Sequence, residues 1–265
     1  MIPVLLAAAL ALVLAMAAAW AVQRLTGQSG WVDTLWTLST GLVAAAAALA
    51  PFDAGGPNSR QIFVASLALL WSLRLGLALA LRTLKGGEDP RYQALREQWG
   101  ADEAKQLFWF LQIQAAAGFA LAFAIILAAR NPAPFWGWGD ALGAGLFAAG
   151  VAGAAIADAQ LAASKAAGRA GPRICEAGLW KYSRHPNYFF EWLGWLAYPV
   201  IAIGYPEPNF VGLVALVGPA LIYWLLVHVS GIPPLEAHML RSRGAAFAGY
   251  QRRVNAFFPG PRRDD

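Results

Sequence analysis

Seven stretches of this chain are each long and apolar enough to cross a bilayer, and they limit what the rest of it can be. They run over about 2–22, 33–51, 61–82, 107–130, 140–164, 187–204 and 210–230, against a need for roughly 20 apolar residues per spanning helix. The breaks between them carry turn chemistry: Gly55-Gly56-Pro57-Asn58, Gly86-Gly87, Asn131-Pro132-Ala133-Pro134 and Pro206-Glu207-Pro208-Asn209. Composition agrees. Hydrophobic residues fill 58% of the 265 positions and charged residues only 13%, too few to clothe a water-soluble surface. A disordered chain, a secreted disulfide scaffold and an ordinary soluble enzyme are excluded. The single cysteine, Cys175, can form no internal disulfide and offers no thiolate cluster to a metal. The expected fold is an all-α integral membrane protein, a single domain over 1–265 with seven transmembrane helices. The first run has Ala-rich steps near Ala17–Ala19 that resemble a cleavage site, but no Lys or Arg precedes it. Its apolar run is also too long for a signal peptide, so a retained helix is expected.

The positive charges set an orientation. Of the 20 Lys and Arg, Arg24, five in the third loop, five in the fifth and six in the tail lie on one side, seventeen in all. Arg60 and Arg130 lie on the other, and Arg74 falls inside a span. Positive loops stay inside, so the amino terminus is expected outside and the carboxyl terminus in the cytoplasm. This bias accounts for the net charge of +5 without a nucleic-acid partner. The Gly143-Ala144-Gly145 to Gly150 run has the wrong spacing for a dinucleotide loop and follows no strand, so close helix packing by small residues is its expected role.

Ionisable groups in apolar spans are candidates for function, since each costs about 2.5–3.5 kcal/mol at a helix centre unless paired. Asp158 lies near one end of the fifth run, with Lys165 two turns on and on the same face. An ion pair at the interface is the alternative. Asn187, Glu191, Trp195 and Tyr198 would share one stripe of the sixth run, which should face a polar cavity and not lipid. Asp33 and Trp36 open the second run, where an acid can serve as a helix cap or as a functional group. The three histidines, His185, His228 and His238, have no metal-site spacing, so no metal is expected. The densest chemistry runs from Gly178-Leu179-Trp180-Lys181-Tyr182-Ser183-Arg184-His185-Pro186-Asn187-Tyr188 to Glu191. It brings cations, aromatics and hydrogen-bonding groups to a helix amino terminus, a natural place for anionic phosphate.

That segment resembles the cofactor motif of the steroid 5-alpha-reductase-like membrane family, above all its bacterial branch. Further blocks extend the likeness: Val32-Asp33-Thr34-Leu35-Trp36, Gly87-Glu88-Asp89-Pro90-Arg91-Tyr92, Asp158-Ala159-Gln160-Leu161, and Gly231-Ile232-Pro233-Pro234-Leu235-Glu236 to Tyr250-Gln251-Arg252-Arg253. The Arg-His-Pro-Asn-Tyr core also resembles segments of membrane sterol reductases and of isoprenylcysteine carboxyl methyltransferases, which use S-adenosylmethionine. The resemblance implies NADPH held in a cytoplasm-facing cavity of the bacterial inner membrane by about residues 140–259. Carried over by position, Asp158, Arg173, Asn187 and Glu191 match cofactor contacts, Lys165 stands at a basic position, and Tyr250 and Arg253 lie in the matching tail. Arg169, Arg184, His185, Tyr188 and Glu236 complete the expected cofactor-binding set. The sequence departs from the family at Phe190, where glycine is usual, and lacks the glutamate–tyrosine pair that holds a steroid ketone.

The activity implied is hydride transfer from NADPH to an activated double bond of a lipophilic, possibly steroid-like substrate. Asp33 is expected as the acid, with Tyr92 and Tyr198 behind it; such a carboxyl, if buried, could stay neutral and donate. The alternatives are an S-adenosylmethionine-dependent methyltransferase and a non-enzymatic lipid-binding protein. The tail from Pro233 to Pro259 is expected to form a short amphipathic helix and a turn. Expected partners are the lipophilic substrate and membrane lipid.

Overall fold

The computed structural model describes residues 1–51, 55–86, 90–167, 174–204 and 208–263. Its helices are α1 (Ile2–Thr26), α2 (Gly30–Leu49), α3 (Ser59–Leu84), α4 (Pro90–Trp99), α5 (Glu103–Ala129), α6 (Trp138–Ala167), α7 (Pro186–Trp195), α8 (Ala197–Ile203), α9 (Val217–Trp224) and α10 (Ile232–Arg253). No strand occurs among the described residues. The chain forms two compact units, Met1–Gly143 with Tyr198–Leu221, and Ala144–Ala197 with Ile222–Asp265.

Among the described residues six helical stretches are long and apolar enough to cross a membrane, which marks the chain as an integral membrane protein. The sixth run read from the sequence, 187–204, is two helices, α7 of 10 residues and α8 of 7, parted at Leu196. Pro199 explains the break, because its ring would collide with the carbonyl four residues back, at Trp195. The stripe expected from Asn187 to Tyr198 therefore ends at Trp195, and Tyr198 belongs to α8 and to the first unit. The last run opens as a 3-10 helix over Phe210–Leu216 and closes as a π turn over Leu225–Val229. Pro219, which has no N–H to donate, stands near the start of the α-helical part between them.

In the first unit α1 buries Ala8, Leu12, Met16 and Ala19, yet exposes the equally apolar Ile2, Leu6, Leu10 and Leu14. A helix apolar all round is built for a hydrocarbon surrounding. Leu12, Met16, Val32, Leu107 and Leu111 share a core with Tyr92 of α4. The indole N–H of Trp20 donates to the carbonyl of Ala104 at 2.9 Å, and that of Trp36 to the carbonyl of Gln114 at 2.8 Å. Both tie α5 to its neighbours without leaving a polar group unsatisfied. Asn58 and Gln61 form a capping box at the start of α3. The Gln61 amide reaches on to the carbonyls of Ala48 and Ala50, which closes the end of α2.

Arg60, expected only as a stray outer charge, organises the other end of this unit. Its Nε and one terminal nitrogen form a fork on Asp140, at 2.9 and 2.8 Å. Its remaining N–H groups donate to the carbonyls of Asn131, Ala133 and Pro134. The two side chains are only 5% and 2% exposed. Removing one partner of a buried pair strands the other, so Arg60→Met should cost about 3–5 kcal/mol. Thermal unfolding in detergent checks this, with a marked fall in the midpoint as the expected outcome.

Candidate functional site

In the second unit the segment before α7 is folded onto α6 and onto the tail by its own motif residues. The Trp180 indole N–H donates to the carbonyl of Ala157 at 2.9 Å, and Gln160 accepts from the backbone of Leu179 at 2.9 Å. The Ser183 hydroxyl donates to the carbonyl of Phe257 at 2.9 Å, and the backbone of Arg184 donates to Asn255 at 2.9 Å. Tyr250 is 2% exposed, and its hydroxyl donates to the carbonyl of Trp180 at 2.6 Å. Burial pushes this phenol above its ordinary range, with the nearby Glu176 carboxylate adding to the rise, so it stays a neutral donor.

Glu236 is the hub of the segment. It lies in α10, which carries Arg241, Arg243, Arg252 and Arg253 beyond the last apolar run and its closing turn. Its carboxylate accepts from Arg184 at 2.7 and 3.1 Å, from Gln251 at 2.7 Å, and from His185 Nε2 at 2.9 Å. A carboxylate can only accept, so that imidazole nitrogen carries the hydrogen. Burial works against the charge, but hydrogen bonds from His185, Arg184 and Gln251 and the Arg184 charge outweigh it, holding Glu236 down at about 2. Arg184 also donates to the carbonyls of Gln251 and Val254 at the end of α10. Four of its five N–H donors are thus engaged inside the protein.

These contacts show what part of the expected cofactor set does within the chain. Arg184, His185, Glu236 and Tyr250 each spend hydrogen bonds on the fold of this unit. Arg253 pairs with Glu176 at 3.1 Å, and Arg262 joins the same carboxylate at 2.7 Å. Arg169 and Arg173 lie outside the described residues. The tail helix is also longer than expected: α10 has 22 residues with a kink at Gly244. Its buried side is Phe247, Tyr250 and Val254 with Met239, while Leu235 and Leu240 are 37% and 40% exposed.

The rest of the expected set lies on α6 and the start of α7. Pro186 begins α7 where a missing N–H is harmless. One residue on, the Asn187 amide donates to Asp158 of α6 at 3.2 Å, while its oxygen accepts from the backbone of Tyr188 at 3.1 Å. Glu191 follows one turn later, half-buried, and Lys165 is exposed two turns beyond Asp158. The Tyr188 ring stacks on His185, with centroids 5.4 Å apart. The face holds two carboxylates, an amide and one ammonium.

Small residues let α6 and α7 approach. A Cβ on Gly150 would lie 2.6 Å from the backbone of Gly194, whereas one on Gly145 would meet nothing. Only the later part of the glycine run therefore packs as expected. A Cβ on Gly153 would strike the Phe190 ring at 2.2 Å. The bulk of Phe190, where the related pattern has glycine, is thus seated over a glycine on the facing helix.

In the first unit Asp33 accepts from Arg91 and, at 2.9 Å, from the Tyr92 hydroxyl, which itself accepts from Gln114 at 3.4 Å. Asp33 thus accepts from a guanidinium and from a phenol. Tyr198 is buried in α8. Arg91 was missed as its partner, because nothing in the spacing of residues 33 and 91 announces the pair.

Fold and site define a helical membrane protein with a carboxylate–amide face in its second unit. The chain belongs to the family described as "Protein of unknown function (DUF1295)", which matches residues 19–254. No curated protein and no solved structure matches it.

Two measurements follow. Glu236 keeps its charge below the usual carboxylate range, so its contribution is full above about pH 4.5 and is lost as pH falls towards 2. The midpoint gap between the wild type and Glu236→Gln should narrow over that window in thermal unfolding. Gly153→Val should lower the midpoint by overpacking Phe190, at about 1–3 kcal/mol. In a Phe190→Gly background the same change should cost much less, and a double-mutant cycle reads the coupling.

Proposed function

We propose that this protein is an NADPH-dependent membrane reductase, which transfers hydride to an activated carbon–carbon double bond of a lipophilic substrate as steroid 5-alpha-reductase-like enzymes do. One observation carries the reading: Asp158, Asn187 and Glu191 stand together on α6 and α7. These are the positions at which the resemblance puts cofactor contacts. Two carboxylates can accept from ribose hydroxyls, and the asparagine amide can pair with a carboxamide. Lys165 offers charge to phosphate from the end of α6, with Arg169 and Arg173 following it in sequence. The hydride itself is the cofactor's chemistry. This chain would bind and orient the cofactor, and of the acid candidates Asp33, Tyr92 and Tyr198, Tyr92 would be the one to give its proton to the substrate and complete the reduction. We place the protein in a bacterial inner membrane with seven spans, the amino terminus outside and the cofactor face towards the cytoplasm, following the bias of positive charge.

One observation favours a second reading, an S-adenosylmethionine-dependent methyltransferase. Arg184 and Arg253 are neutralised by Glu236 and Glu176, so the described part of the face is more acidic than basic. That suits a cationic sulfonium.

Thermal unfolding of the detergent-purified protein with NADPH, NADH and S-adenosylmethionine separates the two. A ligand at 100 times its Kd adds about 2.7 kcal/mol. The expected result is stabilisation by NADPH, lost in Glu191→Gln while that variant still folds. A shift with S-adenosylmethionine instead would replace the reductase by the methyltransferase, and a Glu191→Gln variant that binds NADPH normally would remove Glu191 from the site.

A further inference from the structure

The tail of the second unit is fastened in an order that sorts apolar groups from charged ones. On a straight helix Glu236 and Gln251 would stand roughly 22 Å apart, yet their side chains meet at 2.7 Å, so α10 turns back on itself. The reversal falls at Gly244, at φ 50° and ψ −127°, a conformation that glycine adopts without strain. It returns Arg252 and Arg253 to the segment before α7. Beyond them the Gly260 N–H donates to the carbonyl of Tyr182 at 3.0 Å, and the Arg263 N–H to that of Arg253 at 2.9 Å. Lys181, Arg252 and Arg263 are therefore carried by neighbouring stretches of backbone.

The apolar part of this tail is set against helices of the membrane-spanning runs. Phe257 is buried, and the Phe258 ring lies 5.6 Å from Trp192 of α7 and 6.0 Å from Tyr223 of α9, centroid to centroid. Phe258 is still 49% exposed, as is Trp224 beside Tyr223 at 53%. Because α9 belongs to a stretch apolar enough to cross a membrane, hydrocarbon is the natural surrounding of these exposed rings. The sequence then changes to Pro259-Gly260-Pro261-Arg262-Arg263. Those five steps reach at most about 17 Å, enough to pass the headgroup layer of one leaflet, about 5–7 Å deep.

Among the described residues the cations at this corner outnumber the acids. Arg253 and Arg262 share the single Glu176 carboxylate. Arg263 donates to the neutral Asn255 side-chain oxygen at 2.9 Å, so its position is held while its charge is not offset. Lys181 and Arg252 are exposed. The Lys181 ammonium lies 5.8 Å from the centre of the half-exposed Tyr182 ring, a cation and an aromatic ring side by side, as at a headgroup boundary.

We propose that this corner binds the headgroup of an anionic phospholipid. Phe258 stands at the level of its acyl chains, and Lys181, Arg252 and Arg263 supply the positive charge. Lys and Arg clustered next to a spanning segment attract anionic lipid in this way. The inference uses only the second unit and does not depend on the cofactor.

The test is thermal unfolding of the full-length protein in a non-ionic detergent with phosphatidylglycerol, phosphatidylcholine or glycerol 3-phosphate added. Phosphatidylglycerol should raise the midpoint by at least about 3 °C more than phosphatidylcholine. The excess should vanish near 1 M salt, where the screening length falls to about 3 Å. Lys181→Gln, Arg252→Gln and Arg263→Gln combined should lose the excess and keep the lipid-free midpoint, since none of the three pairs with a carboxylate among the described residues. Removing as much charge in the first unit, by Arg24→Gln, Lys85→Gln and Lys105→Gln combined, should leave the excess intact. Equal responses to the two lipids would overturn the proposal, as would an equal response to glycerol 3-phosphate, an excess that survives high salt or the first triple variant, or an equal loss in both triple variants.

Discussion

Lipid offers a protein no hydrogen bonds. Each polar group in the apolar spans must find a partner within the chain or lie near an end of its helix. The structure obeys this at points that could pass for detail. Trp20 and Trp36 turn their indole N–H groups to carbonyls of α5, and Gln61 closes the end of α2. Arg60 finds Asp140 and three carbonyls. Where partners are this complete the group holds the fold, and where they are incomplete a different explanation is needed.

That distinction divides the residues expected to bind the cofactor. Arg184, His185 and Glu236 are the most striking ionisable residues of the motif in sequence, and they prove to be the most fully engaged. With Trp180 and Tyr250 they fix the segment before α7 against α6 and α10, which gives Asn187 and Glu191 a rigid base. A motif of this kind combines a scaffold and a site, and the resemblance by itself does not tell the two apart. Geometry does, because a carboxylate that already receives four hydrogen bonds has little left to offer a ligand.

The helices themselves were legible because a run of about 20 apolar residues has few alternatives. The break at Leu196 was legible too, in Pro199, but the apolar run across it concealed the break. The tail was harder. Its buried side follows Phe247, Tyr250 and Val254, and the kink at Gly244 makes a single helical periodicity misleading over its length. Asp158 with Asn187 came from a resemblance and Asp33 from its place in an apolar run; in both cases the sequence offered the residue but not its partner. Arg91 is 58 positions from Asp33, and only folding brings such groups together.

Two buried polar groups of the first unit, the Gln23 side-chain oxygen and the Ser29 hydroxyl, have no hydrogen-bond partner among the described residues. Selection for folding alone would replace a buried amide without a partner by leucine and a serine that does not cap by alanine. In this unit Thr40, Gln112 and Gln114 likewise keep buried polar atoms without a hydrogen-bond partner among the described residues, so the completeness seen at Arg60, Gln61, Trp20 and Trp36 is local and not general.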